Sequence, residues 1–330
     1  MKNVYFLSSR RLGLAWVLAG LAAVLPLQAL SQAYPTKPVK VLVGFTAGGA
    51  VDLIARSVGQ VMSAGLGQPV VVENKPGAGT NIAMKALIDA PPDGYMLMLT
   101  ANSIAANPAL YKPAPFDPEK DVAPVALVGR VPVVIAANAA SPYTSVGQLI
   151  QAAKGKPNTI AYGSPGNGAT PHMAMEFFTR AAGVDLQHIP YKGGSQAITD
   201  VIGGQLPLVA VNALEVLPHV KSGKLRVLAV LSANRSSIYP DVPTMAESGF
   251  PGFEASVWYG FISPAATPKA VVERLHAEVQ KALQHPDVRA RLANAGGEVL
   301  PGSTEQFAAL IRSERARYEK LVREANIKPD

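Results

Sequence analysis

Four glycine-rich corners carry the residue types that could hold a small anion. They are Phe45-Thr46-Ala47-Gly48-Gly49-Ala50-Val51-Asp52, Lys75-Pro76-Gly77-Ala78-Gly79-Thr80-Asn81, Ser164-Pro165-Gly166-Asn167-Gly168-Ala169-Thr170 and Tyr191-Lys192-Gly193-Gly194-Ser195. Each follows a short apolar run and precedes an amphipathic one, the pattern of a strand turning into a helix. A helix N-terminus presents unpaired N–H groups and the positive end of its dipole. Glycine lets the backbone approach a ligand, so such corners can grip a carboxylate or phosphate with no lysine or arginine in contact.

Small polar residues accompany the corners. Thr46, Asn81, Ser103, Ser164, Asn167 and Thr170 fall at or near strand ends, where a turn role and a ligand role are both open. Asn102 and Asn212, after the third and seventh strands, are weaker members of the same set. Asp52 lies just inside the first helix. There a carboxylate suits the helix dipole and caps free N–H groups, and the alternative is that it receives a ligand's ammonium group. Tyr191 reads as packing beneath its turn, Lys192 as solvated, and Trp258 and Tyr259 as packing on a crossover. The histidines, at 172, 188, 219, 276 and 285, lack metal-ligand spacing and the chain has no cysteine, so no metal is expected. His172, at a helix start, reads as a surface or packing residue.

Enzyme motifs fall short. Residues 77–82 supply two of the three glycines of a dinucleotide fingerprint. Gly193-Gly194-Ser195-Gln196-Ala197 approaches a nucleophile elbow but ends in alanine, leaving a Ser195 hydrolase as the enzymatic alternative. No cofactor is expected.

The elements that must position these corners alternate. Strands are predicted at 39–45, 70–73, 96–100, 133–137, 160–162, 187–189, 208–211 and 225–231, with helices between them and two long helices, 269–284 and 304–325, at the end. The class is α/β with mainly parallel sheets flanked by helices. Ser145 with Gln148 predicts a capping box. Extended segments at 117–137 and 254–264 read as two crossings between lobes. The expected organisation is 34–130 plus 257–330 as one lobe and 131–256 as the other, with hinge crossings near 130 and 257 and the ligand cleft between them. All four corners then lie at the carboxyl ends of strands, two from each lobe.

Residues 1–33 read as an export signal. Lys2, Arg10 and Arg11 precede an apolar stretch, and Ser31-Gln32-Ala33 offers a cleavage site. The working compartment is then the bacterial periplasm. Removing that segment, with three bases and no acids, lowers the formal charge from +7 to +4. Basic residues are scattered, which speaks against a nucleic-acid partner. A monomer is expected.

On these residues the chain resembles the Bug-type solute-binding proteins, extracytoplasmic receptors of tripartite tricarboxylate transporters. The carriers are Phe45 to Arg56, Val72 to Gly79, Asp93-Gly94-Tyr95, His188 to Gly194, Gly203-Gly204, Pro240-Asp241-Val242-Pro243-Thr244 and Trp258-Tyr259-Gly260. The resemblance covers essentially the whole mature chain. It implies a two-lobed periplasmic binding protein of type II-like architecture, without catalysis. Such a protein closes on a small carboxylate and hands it to the membrane components of the transporter. A ligand sensor docking on a periplasmic signalling partner is the alternative.

The ligand-binding candidates are Phe45, Thr46, Gly48, Gly49, Asp52, Gly79, Asn81, Asn102, Ser103, Ser164, Gly166, Asn167, Ala169, Thr170, Tyr191, Gly193, Gly194 and Asn212. Where the family has prolines in the first corner this chain has Gly44 and Ala47, which predicts a loop less fixed before binding. Gly48 and Gly49 are expected to keep their amides available. Ligand identity stays open, with loop positions such as Asn102 to Ala106 and Asn212 to Glu215, which carry no chemistry-specific pattern, expected to decide it.

Overall fold

Nearly every position of β1 (Val39–Val43) is buried, as in a parallel strand covered by helices on both faces. The computed structural model describes residues 34–294, 296–325 and 327. From Lys37 onward the chain is one compact unit. The expected export signal lies outside the described residues.

After β1 come α1 (Ala50–Leu66), β2 (Val70–Asn74), a single 3-10 turn (Ala78–Thr80), α2 (Asn81–Ile88), β3 (Met96–Thr100) and α3 (Ser103–Leu110). Val51, Ile54, Ala55, Val58 and Met62 make one buried stripe of α1, and Gly67, at φ 66°, ends it in the left-handed conformation. The chain then runs through β4 (Val122–Asn138), α4 (Val146–Ala153), β5 (Ala161–Ser164), α5 (Thr170–Ala182), β6 (Gln187–Pro190), α6 (Gly194–Ile202), β7 (Leu208–Asn212), α7 (Ala213–Lys221) and β8 (Leu225–Val230). It finishes with β9 (Ser256–Pro264), α8 (Lys269–Gln284), α9 (Pro286–Asn294), β10 (Glu298–Val299) and α10 (Thr304–Ala325).

The strands form a mixed sheet in the order β2-β1-β3-β9-β4-β7-β5-β6, with β8 and β10 also on β4. Parallel pairing is confined to the two ends, β2-β1-β3 and β7-β5-β6. The middle is antiparallel. The segments expected to be two separate crossings are the hydrogen-bonded partners β4 and β9, paired antiparallel from Val122↔Pro264 to Pro132↔Ser256 with register shifts at Pro124/Ala126 and Leu127/Gly129. At the next residue β4 changes partner, with Val133 opposite Asn212 of β7. Both segments are apolar and β-branched, so pairing buries backbone groups that linkers would leave to water.

All four corners precede helices, α1, α2, α5 and α6, and follow the parallel strands β1, β2, β5 and β6. Corner two differs in detail: Ala78, Gly79 and Thr80 all have positive φ, so α2 starts from a left-handed Thr80. The Ser145 cap holds, its Oγ accepting from the Gln148 amide at 3.2 Å. The reciprocal bond lands one residue earlier, with the Thr144 amide donating to Gln148 Oε1 at 2.8 Å.

Two cores hold the corners. Leu42, Met84, Leu87, Met98, Ile262, Phe307 and Ile311 pack around Trp258, whose ring meets Phe307 edge-on at 5.6 Å. Ala106, Leu110, Met173, Tyr318 and Leu321 join α3, α5 and α10. Each fully buried side chain of this size is worth about 1.5–3 kcal/mol relative to exposure.

Candidate functional site

Corners one and four, far apart in strand order, touch. The Thr46 amide donates to the Lys192 carbonyl at 3.1 Å, and Thr46 Oγ1 lies 3.2 Å from Ser195 Oγ. Gly193 allows this approach. A Cβ there would collide with Thr46 Oγ1 and stand 3.1 Å from the Thr46 nitrogen. Corners two and three touch as well, since a Cβ on Gly79 would lie 2.6 Å from the Asn167 carbonyl oxygen.

Two cavities occupy the space between these corners and share Phe45, Pro165 and Ala169. The tighter, about 20 Å3, has room for roughly one water and is lined by Gly49, Ala50, Ser103, Thr170, Gly194, Asn212 and Glu215 among others. The N-termini of α1, α3, α5, α6 and α7 therefore border it. The larger, about 300 Å3, is lined by Gly79, Gly166, Asn167, Tyr191 and Lys192 among others. That is the size of a small-ligand site.

One group in the tight cavity carried no chemistry in the sequence. Glu215 Oε1 accepts from Asn212 Nδ2 at 2.9 Å, while Oε2 is sealed from solvent without a donor. The residue as a whole is half-buried, but its carboxyl end points inward. Burial pushes this carboxyl above its ordinary range, against the opposing pull of the bond from Asn212 and of the nearby Ala50 amide dipole. A glutamate three residues after a strand-end asparagine is a spacing any helix start shows, so the segment Asn212 to Glu215 stood out as a specificity candidate without a chemical role for its glutamate.

Beneath corner three lies a buried stack. Ser164 Oγ and His188 Nε2 are 2.7 Å apart, and the His188 ring stacks on His172 at 4.1 Å and on Tyr162 at 5.0 Å. Burial lowers the His188 pKa to about 4. Ser164 also accepts from the Gly166 amide at 3.1 Å, so it shapes the corner from below. His172 accepts from the Gly168 amide at 3.3 Å.

The structure gives other candidates partners within the fold. Asp52 accepts from the Gly48 amide at 3.0 Å, Arg56 Nε at 3.1 Å and Asn74 Nδ2 at 3.0 Å. Burial raises its pKa, but these bonds outweigh it and leave the carboxyl below its ordinary range. The Gly48 amide is thereby taken, contrary to the expectation that it stays available; Asp52 satisfies it locally. Asn102 accepts from the Trp258 amide at 3.0 Å and donates to Glu314 at 3.2 Å, tying α3 to β9 and α10. Asn81 Oδ1 accepts from Asn107, which also bonds the Gly79 carbonyl. Tyr191 donates to Asp200 at 2.5 Å while lining the larger cavity. Its phenol is pushed up to about 12 by burial and by that carboxylate.

The model of the tripartite tricarboxylate transporter family receptor (TctC) matches residues 54–327. The chain belongs to this receptor family. The periplasmic binding protein BugD has a structure similar to it, at 35% identity and a TM-score of 0.86, over 90% of this chain and 100% of that one. Rpa4515 of R. palustris, solved with adipate, shares 33% identity with a TM-score of 0.86 over 90% and 100%. MatC of Rhodopseudomonas palustris, solved with bound malate, shares 30% with a TM-score of 0.84 over 88% and 100%. The Bug resemblance and the α/β binding-protein fold are thus shown.

Against the receptor family's proline-bearing first corner, Gly44 has a steric reason. A Cβ there would lie 2.6 Å from Thr80 Cβ, so the left-handed Thr80 occupies the space a ring would need. Ala47 is exposed, and nothing in the structure explains its replacement of proline. Among the described residues no helix is long and apolar enough to cross a membrane.

Proposed function

We propose that this chain is an exported periplasmic receptor that captures a small carboxylate between two hinged lobes and delivers it to a tripartite tricarboxylate transporter. The carrying observation is that strand-end corners from both halves of the sheet close on one pair of cavities. Phe45, Gly49 and Ser103 come from one side, Ala169, Thr170 and Gly194 from the other. The lobes are 34–130 plus 257–330 and 131–256. The change of partner along β4 between Pro132 and Val133 supports that division.

Helix N-termini and glycine backbone supply donors for an anion, so several charge-assisted hydrogen bonds replace a formal positive charge. Ser195 serves closure through Thr46 rather than nucleophilic attack; His188 is bonded to Ser164 instead. The adipate of Rpa4515 and the malate of MatC support a carboxylate as ligand class.

Thermal unfolding against mono-, di- and tricarboxylates, aromatic acids and amino acids tests this reading. At about 100 times Kd a true ligand stabilises by about 2.7 kcal/mol, a shift of at least several degrees. Native mass spectrometry of the same protein detects a ligand that co-purifies. A blank in both measurements would overturn the receptor assignment.

A further inference from the structure

Glu215 is the buried ionisable group that carboxylate capture leaves unused. Its carboxyl lies where α1 and α6 begin. A Cβ on Gly194 would collide with Oε2, and one on Gly49 would stand 3.8 Å from it. Oε2 is buried without a donor, and so is Oδ1 of Asn212, which lines the same cavity. Among the described residues no lysine, arginine or histidine pairs with Glu215. The nearby titratable group is Tyr259, whose buried hydroxyl is also unpartnered.

Two orphaned acceptors on one cavity call for a donor, because a buried acceptor without one keeps its full desolvation penalty. A second carboxylate would set acceptor oxygens against acceptor oxygens. Size points the same way: about 20 Å3 holds one water-sized group, which an ammonium is and a three-heavy-atom carboxylate is not. The larger cavity, with Lys192 and the glycines of corners two and three in its lining, is left for the ligand's carboxylate.

Resting on the receptor reading, the geometry points to Glu215 as a specificity-determining residue that receives a protonated amine. The ligand class is an amino acid rather than a dicarboxylate. Asn212 positions the carboxyl through Oε1 and leaves Oε2 for the amine.

The test is calorimetric titration of the protein exported with its own N-terminus, using sets of equal length. One set is 4-aminobutanoate, pentanoate and glutarate, which end in an ammonium, a methyl and a carboxylate; shorter and longer sets and the α-amino acids accompany it. The expected result is one amine binding at least tenfold tighter than its isosteres, with Glu215→Gln removing that preference and leaving the isosteres unchanged or tighter. A dicarboxylate or alkanoate that binds as tightly as its amine counterpart overturns the inference. A Gln variant that keeps the preference does the same, and both leave carboxylate capture intact. If no acid binds with or without an amine, the receptor reading falls as well.

Discussion

Gly193→Ala isolates closure from folding. Gly193 has φ 165°, extended backbone that alanine adopts, so the substitution does not strain α6 or its corner. What it disturbs is Thr46. Turning the threonine side chain relieves the collision with Oγ1 but breaks its contact with Ser195, worth about 1 kcal/mol. The new methyl still presses at 3.1 Å on the Thr46 nitrogen and 3.2 Å on its Cβ, so the amide bond to Lys192 lengthens, at about another 1 kcal/mol. Some 2 kcal/mol against the closed arrangement weakens ligand binding about thirtyfold. Titration calorimetry with whichever acid the unfolding screen identifies reads the effect, and unfolding without ligand should stay near wild type. A Thr46→Ala background should return part of the loss, because the collision partner is gone. Affinity within threefold of wild type, or strictly additive effects of the two substitutions, would refute closure through this contact.

Asp52→Asn should destabilise the first corner by about 1–3 kcal/mol in chemical denaturation, since Gly48, Arg56 and Asn74 lose a charged acceptor. Because the folded pKa of Asp52 is depressed, the difference from wild type should be full at neutral pH and shrink as acid protonates the native carboxylate. Asn102→Ala should lower stability by about 2–3 kcal/mol by orphaning the Trp258 amide, seen as a drop in melting temperature of several degrees with little change in ligand selectivity. His188, with a folded pKa of about 4 against an unfolded value near 6.5, contributes nothing above that value and opposes folding increasingly below it. Melting curves should therefore show a loss approaching about 3 kcal/mol between pH 6.5 and 4, and His188→Gln should flatten that slope; an unchanged slope removes His188 as its source.

Element order was legible because the α/β alternation is local: strand and helix periods switch at each glycine corner, and both terminal helices fall where their apolar stripes placed them. What escaped were the long-range choices. Nothing in residues 122–132 announces that they pair with residues more than a hundred positions later, and antiparallel pairing of two crossings has no local signature. The same limit governed the polar residues. Asn102 and Asn212 both follow strands, yet one is committed to Trp258 and Glu314 while the other holds Glu215 at a cavity. A side chain at a strand end is drawn by whichever partner tertiary packing delivers, and spacing does not encode that partner. The capping box shows a smaller version: Ser145 caps as expected, while Gln148 reaches Thr144 instead of closing on its own cap.

The glycines illustrate how a correct local reading can carry a second meaning. From sequence they are sites where amides face a ligand. In the structure three of them are also sites where one half of the molecule presses on the other: Gly79 against Asn167, Gly168 against Asn107, and Gly193 against Thr46. A side chain at any of these meets an atom from a loop or helix on the far side before it meets a ligand. The two roles reinforce each other. A backbone that comes close enough to exclude a Cβ also excludes water, and in that drier space each remaining amide interacts more strongly with charge. That is why a buried carboxyl such as Glu215 matters so much in this cavity. Bordered by the N-termini of α1, α3, α5, α6 and α7, and paired with no cation among the described residues, it already presents an acceptor oxygen where an anionic ligand would otherwise present one. Any anion entering the tight cavity must compete with it, whereas a donor entering there completes it.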